Sequence, residues 1–360
     1  TLKRAFLFIF LIIKMLSEEQ IKDIREHLEK AQNPLFFFDN DADGLTSFLL
    51  LRRYTGRGKG VAIKSFPELN ASYTRKIYEL KPDYIFVLDK PMIAQGFLDE
   101  VHTLNLPLVW IDHHDVPIPE TENKEIYYYN GFLQDKKSEP VSYLCYKITD
   151  KKNDLWLALV GCIGDGFLPN FASEFAEQNE ELWGENIKTA FKALYTTEIG
   201  KISRILSFAL KDRTSKVVAM LRYLIQVKSP FEVLDEEKAK TILQRYNQIN
   251  AKYSGLVEKA KIFARGRLLF FQYGGELSLS ADIANELFFL YPEKIIVVAY
   301  IKGTKANISL RWEKDIRKLT LEAIKELEGA TGGGHEHATG AQVSVEDLPK
   351  FKENLMNLVS

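Results

Sequence analysis

Three apolar runs in this chain end in residues able to do chemistry. Phe36-Phe37-Phe38 leads into Asp39-Asn40-Asp41-Ala42-Asp43-Gly44, Tyr84–Leu88 leads into Asp89, and Leu108–Ile111 leads into Asp112-His113-His114-Asp115. Carboxylates and imidazoles gathered in one place suit divalent cations, because that many uncompensated acids repel and raise one another's pKa. Each piece alone has a plainer reading. Asp-x-Asp-x-Asp-Gly opens an EF-hand calcium loop, but that loop needs a Glu at its twelfth position, where Leu50 stands, and a helix before it. Asp89 alone reads as a turn or helix cap, and His113 and His114 alone as surface residues. Their joint spacing points to metal chemistry.

The elements that must position these residues alternate between helix and strand. Ile21, Ile24, Leu28 and Ala31 have helical spacing. Leu16, Ser17, Gln20 and Ile21 spell a capping box with a hydrophobic staple at its start. Leu35–Phe38 is a short solid apolar run, the mark of a buried parallel strand. The pattern continues with helix over Thr46–Tyr54, strand over Val61–Phe66, helix over Tyr73–Leu80, strand over Tyr84–Leu88, helix over Ala94–Leu104 and strand over Leu108–Ile111. Helices are expected near 139–150 and 154–163. Repeated βα units imply an α/β fold with a doubly wound parallel sheet, whose ligands bind outside the carboxyl ends of the strands.

From about 171 to 265 strand signals fade into charged helical sequence, broken once at Ser229-Pro230. A second mixed region follows. Arg267–Tyr273, Ile295–Ile301 and Asn307–Arg311 read as strands, and Ala281–Leu290 and Ile316–Leu327 as helices. The expected organisation is an upstream extension over 1–14, a catalytic domain over 15–170, a helical connector over 171–265 and a smaller α/β substrate-binding domain over 266–360. Ala5–Ile13 is apolar but about half the length a membrane span needs, so Met15 reads as the natural start and no membrane partner is expected. A short anchor is the alternative reading of that stretch.

Composition narrows the function classes. The 360 residues carry 48 Lys+Arg against 49 Asp+Glu, a formal net charge of −1, which excludes a globally basic nucleic-acid coat but not a local basic groove. At 46% hydrophobic residues the chain is not disordered. Two cysteines, Cys145 and Cys162, make neither a disulfide scaffold nor a four-thiolate zinc site and suit a reducing cytoplasm. Cys162, Trp110 and Trp156 read as core. Arg52, Arg53, Arg57 and Lys59 form a small basic cluster, read as a solvated face with a nucleic-acid track as the alternative. No Ser nucleophile elbow and no phosphate-cradling P-loop competes with the acids.

The motif order after Met15 resembles the DHH phosphoesterases, and within them the RecJ-like nucleases. The resemblance rests on Asp39–Gly44, on Asp89, on Asp112-His113-His114, on Asp165 in Gly161-Cys162-Ile163-Gly164-Asp165, and on Gly332-Gly333-Gly334-His335 near the C-terminus. It implies two Mn²⁺ ions, with Mg²⁺ as the alternative. Asp41 and Asp89 would hold one, and Asp43, Asp89, His113 and Asp165 the other, with Asp89 bridging. Related pyrophosphatases have a His where Phe37 stands, and the resemblance gives that role to Asp39. It also implies that His114 contacts the scissile phosphate, that Asp112 orients the imidazole pair, and that Arg311, Gly332, Gly333, Gly334 and His335 contact substrate phosphate across a cleft. His337 reads as a surface residue. The glycines alone read as a helix terminator or an anion nest. The implied chemistry is two-metal hydrolysis of a phosphodiester with no protein nucleophile.

The implied substrate is single-stranded DNA or RNA, attacked from an end, with a helicase or a replication-complex subunit as implied protein partners. A small phosphodiesterase acting on very short RNAs or cyclic dinucleotides is the second reading, although such relatives usually carry a His-containing first motif. A non-catalytic replication scaffold is the third, and the intact acid set speaks against it.

Overall fold

The computed structural model describes residues 16–65, 67–116, 125–131 and 138–359. The expected extension over 1–14 and the start at Met15 lie outside these residues. Helix α1 (Glu18–Lys30) opens on the expected capping box between Ser17 and Gln20, with Leu16 and Ile21 both buried beside it.

The first domain is a five-stranded, wholly parallel sheet. Its strands are β1 (Pro34–Asp39), β2 (Lys59–Ile63), β3 (Tyr84–Leu88), β4 (Leu108–Asp112) and β5 (Ile126–Asn130), in spatial order β2-β1-β3-β4-β5. Because side chains alternate along a strand, the solid apolar runs fill two cores at once. Phe36, Phe38, Phe86, Leu88, Val109 and Ile111 face one side, and Leu35, Phe37, Ile85, Val87, Leu108 and Trp110 the other. After β1 the chain goes one way to β2 and then returns to the other side of β1 for β3. The switch point of the sheet is therefore the β1/β3 carboxyl edge.

Several boundaries differ from expectation, for physical reasons. Helix α2 spans Ala42–Thr55 rather than starting at Thr46, because Asp41 caps it by accepting the Gly44 N–H at 2.9 Å. Strand β2 ends at Ile63 instead of Phe66, which is not among the described residues. Strand β5 was not anticipated, its Ile-Tyr-Tyr-Tyr-Asn sequence giving no solid aliphatic run. Helices α3 (Thr74–Leu80), α4 (Gln95–Thr103), α5 (Val141–Thr149) and α6 (Leu155–Gly164) fall near their expected places. Trp110, Trp156, Cys145 and Cys162 are buried.

Three of the four residues in the basic cluster are engaged by the fold rather than held free in solvent. Arg52 Nε donates to Gly58 O at 2.9 Å, and Arg53 pairs with the buried Asp154 at 2.9 Å. Arg57 donates to Ala31 O at 2.6 Å and Glu29 O at 2.8 Å, closing the last turn of α1. Of the four, Lys59 alone is exposed. The cluster also sits at the wrong end of the domain, since α2 carries it roughly 20 Å away from Asp41 at 1.5 Å per residue.

Helices over 172–261 form the connector. They include α7 (Glu198–Leu210) and α8 (Lys240–Lys261). The Ser229-Pro230 break is itself a helix start, with Ser229 as cap and Pro230 in the first turn. The connector is no loose linker, because one apolar core runs from the first sheet through Ile202, Leu206, Tyr246 and Tyr253 to Phe271, Ile296 and Val298.

The C-terminal sheet holds β6 (Leu268–Gly274), β7 (Ile295–Lys302), β8 (Lys305–Arg311), β9 (Thr331–Gly334) and β10 (Ala338–Ser344), in the order β9-β10-β8-β7-β6. Only β6 and β7 run parallel. Helices α9 (Ser280–Leu290), α10 (Ile316–Ile324) and α11 (Leu348–Val359) cover it. Strands β9 and β10 and helix α11 were not anticipated. The domain is a smaller α/β unit joined to the parallel-sheet domain by the helical connector. No helix among the described residues is long and apolar enough to cross a membrane.

Candidate metal centre

The carboxyl ends of β1, β3 and β4 bring Asp39, Asp41, Asp43, Asp89, Asp112, His113 and His114 to one edge of the sheet, and α6 delivers Asp165 beside them. Ligand-capable oxygens of Asp39, Asp41 and Asp89 lie within 4.8 Å of one another. So do those of Asp43 and Asp89 with a nitrogen of His113. Asp89 belongs to both groups.

Each acid is held differently. Asp43 is buried against the N-terminus of α5, where Val141 N–H (2.8 Å) and Ser142 N–H (2.9 Å) donate to its two oxygens and Ser142 Oγ adds a third bond. A helix N-terminus favours such an anion. Burial still pushes its pKa up, against these hydrogen bonds. Asp89 is buried in the left-handed region at φ +58°, with its N–H donating to Ile111 O at 3.0 Å. Asp and Asn are the side chains that best tolerate that backbone. Desolvation, reinforced by Asp41 and Asp43, holds both Asp89 and Asp165 well above the usual carboxylate range.

Asp41 is exposed at the mouth of the group, and desolvation by the surrounding protein with Asp39 and Asp43 nearby raises it to about 7. A carboxyl whose folded pKa exceeds its unfolded value of about 3.8 favours the fold while protonated, and the advantage fades as pH rises toward the folded value near 7. Metal-free wild type is therefore expected to lose more melting temperature than Asp41→Asn between about pH 5 and about pH 7, and a divalent cation, which favours the ionised acids, should restore the loss. Thermal melts with chelator and with added cation check this; an equal loss in the two proteins across that window would contradict it.

His113 is buried, and burial, with the neighbouring His114, holds it well below the usual imidazole range, so it is neutral. Its Nδ1 stands 2.8 Å from Ser138 Oγ, which donates onward to His113 O at 3.2 Å. That chain assigns the proton to Nδ1 and turns the Nε2 lone pair toward Asp89 Oδ1 at 3.3 Å and Asp165 Oδ2 at 3.9 Å. A lone pair facing two carboxylates is the arrangement a cation between them resolves, and the donor set fits one. His114 behaves oppositely. Against its burial, the Asp112 carboxylate at 2.7 Å from Nδ1 pushes His114 up to about 9, and His114 in turn holds Asp112 down despite complete burial. Asn130 secures the loop by donating to His114 O at 2.8 Å.

Sequence reasoning missed three partners. Lys90 is fully buried and donates to Asp39 Oδ1 at 2.8 Å, so the protein supplies part of the compensating charge itself. A Lys directly after Asp89 in an apolar stretch was the available signal. Ser138 and Ser142 had none. Breaking a buried pair by removing one partner strands the other charge. Lys90→Met is expected to destabilise metal-free protein by about 3 kcal/mol, and by less once a divalent cation faces Asp39. Denaturant unfolding with and without the cation measures both; equal losses in the two conditions would remove Asp39 from the metal group.

From the C-terminal domain, His335 reaches the same edge, its ring 5.2 Å from that of His114 and 5.6 Å from that of His113. Burial and the nearby His114 lower it to about 4. Arg311 lies alongside, with Nε on Asn285 Oδ1 at 2.6 Å and its pKa lowered by burial to about 10. Gly332–Gly334 form neither a helix terminator nor an anion nest; they are the edge strand β9. The hydrogen-bonded pair His335–Ala338 sets the alternation of the ladder, so the N–H groups of Gly332 and Gly334 face away from β10. A Cβ on Gly334, at φ +133°, would stand 2.6 Å from Ala338 O, while one on Gly333 would meet nothing within 4 Å. His337 is exposed. Arg317 on α10 bonds Asp115 at 2.7 Å, tying the two domains beside the site.

Comparison with known proteins agrees with this architecture. Residues 268–360 match the family model of the DHHA1 domain. No curated protein matches the chain by sequence. Among solved structures, RecJ from Thermus thermophilus in complex with Mn²⁺ is similar over 96% of this chain at 16% identity and a TM-score of 0.63. The chain spans only 54% of that protein. An exonuclease RecJ bound to manganese is similar over 95% of this chain and 94% of its own, at 16% identity and a TM-score of 0.59. A DHH domain from a protein described as belonging to a family of ribosomal proteins aligns over 95% of this chain and 89% of its own, at 13% identity and a TM-score of 0.65. With an Asp-His-His motif at the switch point of the parallel sheet and a DHHA1 domain over 268–360 closing over it, the chain has a RecJ-like fold.

Proposed function

We propose that this protein is a divalent-metal-dependent phosphodiesterase that removes nucleotides from an end of single-stranded DNA or RNA. The observation that carries the reading is Asp89, shared between the Asp39–Asp41 group and the Asp43–His113 group, with a second domain's His335 beside His113 and His114. Two cations held by Asp39, Asp41, Asp89 and by Asp43, Asp89, His113, Asp165, Mn²⁺ or Mg²⁺ as in the RecJ structures, would activate water and neutralise phosphoryl charge. The chain's own groups do the rest. His114, carrying a proton under Asp112, faces the cleft as a donor to a phosphate oxygen. Arg311, His335 and the outward N–H groups of Gly332 and Gly334 offer further donors from the opposite wall.

One observation favours a second reading, a phosphodiesterase for very short strands or cyclic dinucleotides. Arg52, Arg53 and Arg57, the basic cluster that follows the first acid motif, are engaged by backbone carbonyls and Asp154 rather than held out for a long strand. End-labelled DNA and RNA strands of graded length, incubated with Mn²⁺, separate the readings. The exonuclease reading expects affinity to rise from dinucleotide to about ten nucleotides, with a steeper salt slope for longer strands, about 0.7 per added phosphate contact. Dinucleotides bound as tightly as decamers would favour the second reading. Which end shortens, and which sugar is accepted, comes from the same ladders.

A further inference from the structure

Three imidazoles from two domains converge beside the acid groups. One ring nitrogen each of His113, His114 and His335 lies within 4.8 Å of the others. Two of these rings are already braced from behind, His113 Nδ1 by Ser138 at 2.8 Å and His114 Nδ1 by Asp112 at 2.7 Å. An outer partner on Nδ1 is what aims Nε2 at a metal ion and increases its basicity, and at His114 the ion displaces the Nε2 proton to solvent. We propose that His113, His114 and His335 form a separate, inhibitory site for a borderline-soft divalent cation such as Zn²⁺.

The donor chemistry distinguishes this site from the acid groups. Carboxylate oxygens suit Mg²⁺ and Mn²⁺, whereas three imidazoles suit Zn²⁺ and its neighbours. Three protein nitrogens with a fourth position open to water or phosphate is a familiar zinc arrangement. In a tetrahedral site with bonds of about 2.0–2.1 Å, the nitrogens stand roughly 3.4 Å apart. Closing from the separations here takes a shift on the order of 1 Å, within reach of a side-chain rotation at the half-buried His335, which sits on the β9–β10 hairpin. His113 Nε2, at 3.3 Å from Asp89 and 3.9 Å from Asp165, cannot serve both sites at once. A bound Zn²⁺ thus withdraws a ligand from the acid groups and occupies the facing wall of the cleft. The binding site stands on the three residues; its inhibitory effect rests on the phosphodiesterase reading.

The test is calorimetric titration of the metal-stripped full chain with Zn²⁺ alone and with Mn²⁺ alone, for wild type, His335→Ala, His335→Gln and Asp41→Asn. Circular dichroism checks that each variant folds, and the two His335 variants guard against one that does not. Tight Zn²⁺ binding should weaken at least ~100-fold in both His335 variants and persist in Asp41→Asn, while Mn²⁺ binding shows the reverse pattern. Zn²⁺ bound as tightly by both His335 variants as by wild type, or lost in Asp41→Asn, overturns the site. Absence of any hydrolysis by wild type with Mn²⁺ would instead overturn the phosphodiesterase reading and leave the Zn²⁺ titrations to be judged on their own.

Discussion

Asp89→Asn is expected to lower hydrolysis by ~10³-fold or more while the protein stays folded. The magnitude follows from the several kcal/mol of charge stabilisation lost when one side chain serves both metal groups, at about 1.4 kcal/mol per tenfold in rate. Asn is the informative substitution, because residue 89 sits at φ +58°, where Asn is tolerated and Ala adds backbone strain. A comparison of Asp89→Asn with Asp89→Ala separates the two effects: both lose activity, but only the Ala variant should also lose melting temperature through strain. The decisive measurement is metal stoichiometry. Mn²⁺ titration of Asp89→Asn should show weakened binding at both sites, and chelation of wild type should reproduce the activity loss, reversed by Mn²⁺. An Asp89→Asn variant that binds two ions with wild-type affinity would dismiss the shared-ligand arrangement.

His335→Ala is expected to reduce kcat/KM on a nucleotide strand by roughly 10²-fold, the scale seen when one preorganised donor to a developing phosphoryl charge is removed. His335 belongs to neither acid group, and it reaches the site from the other domain, so Mn²⁺ affinity should be unchanged. The pairing of the two readouts matters. Lost activity with intact Mn²⁺ binding makes His335 a substrate contact; loss of a Mn²⁺ site would make it a ligand of the catalytic ions. The neighbouring glycines should differ in what they tolerate. Gly333→Ala should fold normally because its Cβ meets open space, whereas Gly334→Ala would drive a Cβ to 2.6 Å from Ala338 O.

Much of the site was legible because strand ends are legible. A solid apolar run such as Leu35–Phe38 is buried on both faces, so it belongs to a parallel sheet, and the acid that ends it lies at the ligand-binding edge. The same logic placed Asp89 and the Asp112-His113-His114 group. It failed where pattern and chemistry diverge. Helix α2 starts four residues early because Asp41 spends one oxygen on a cap, which a hydrophobic count cannot register. Strand β5 is aromatic and polar rather than aliphatic, and the glycine strand β9 has no side chains to show a period.

Short-range periodicity was enough for the fold class, for the βα alternation up to Asp112, and for which acids and imidazoles stand at strand ends, because these follow from residues a few positions apart. How those groups divide depends on the packing of distant segments. That Asp89 is shared follows from β3 lying beside β1, a consequence of the sheet's switch point rather than of local pattern. Asp43 is held by Ser142, 99 residues away, and Asp115 meets Arg317 across 202 residues. Arg52, Arg53 and Arg57 read as a solvated face, with a nucleic-acid track as the alternative, until the fold gave them carbonyls and Asp154 to bind. Hydrogen bonds and ion pairs are decided by which distant segments the apolar cores bring together, and no window along the chain contains both partners.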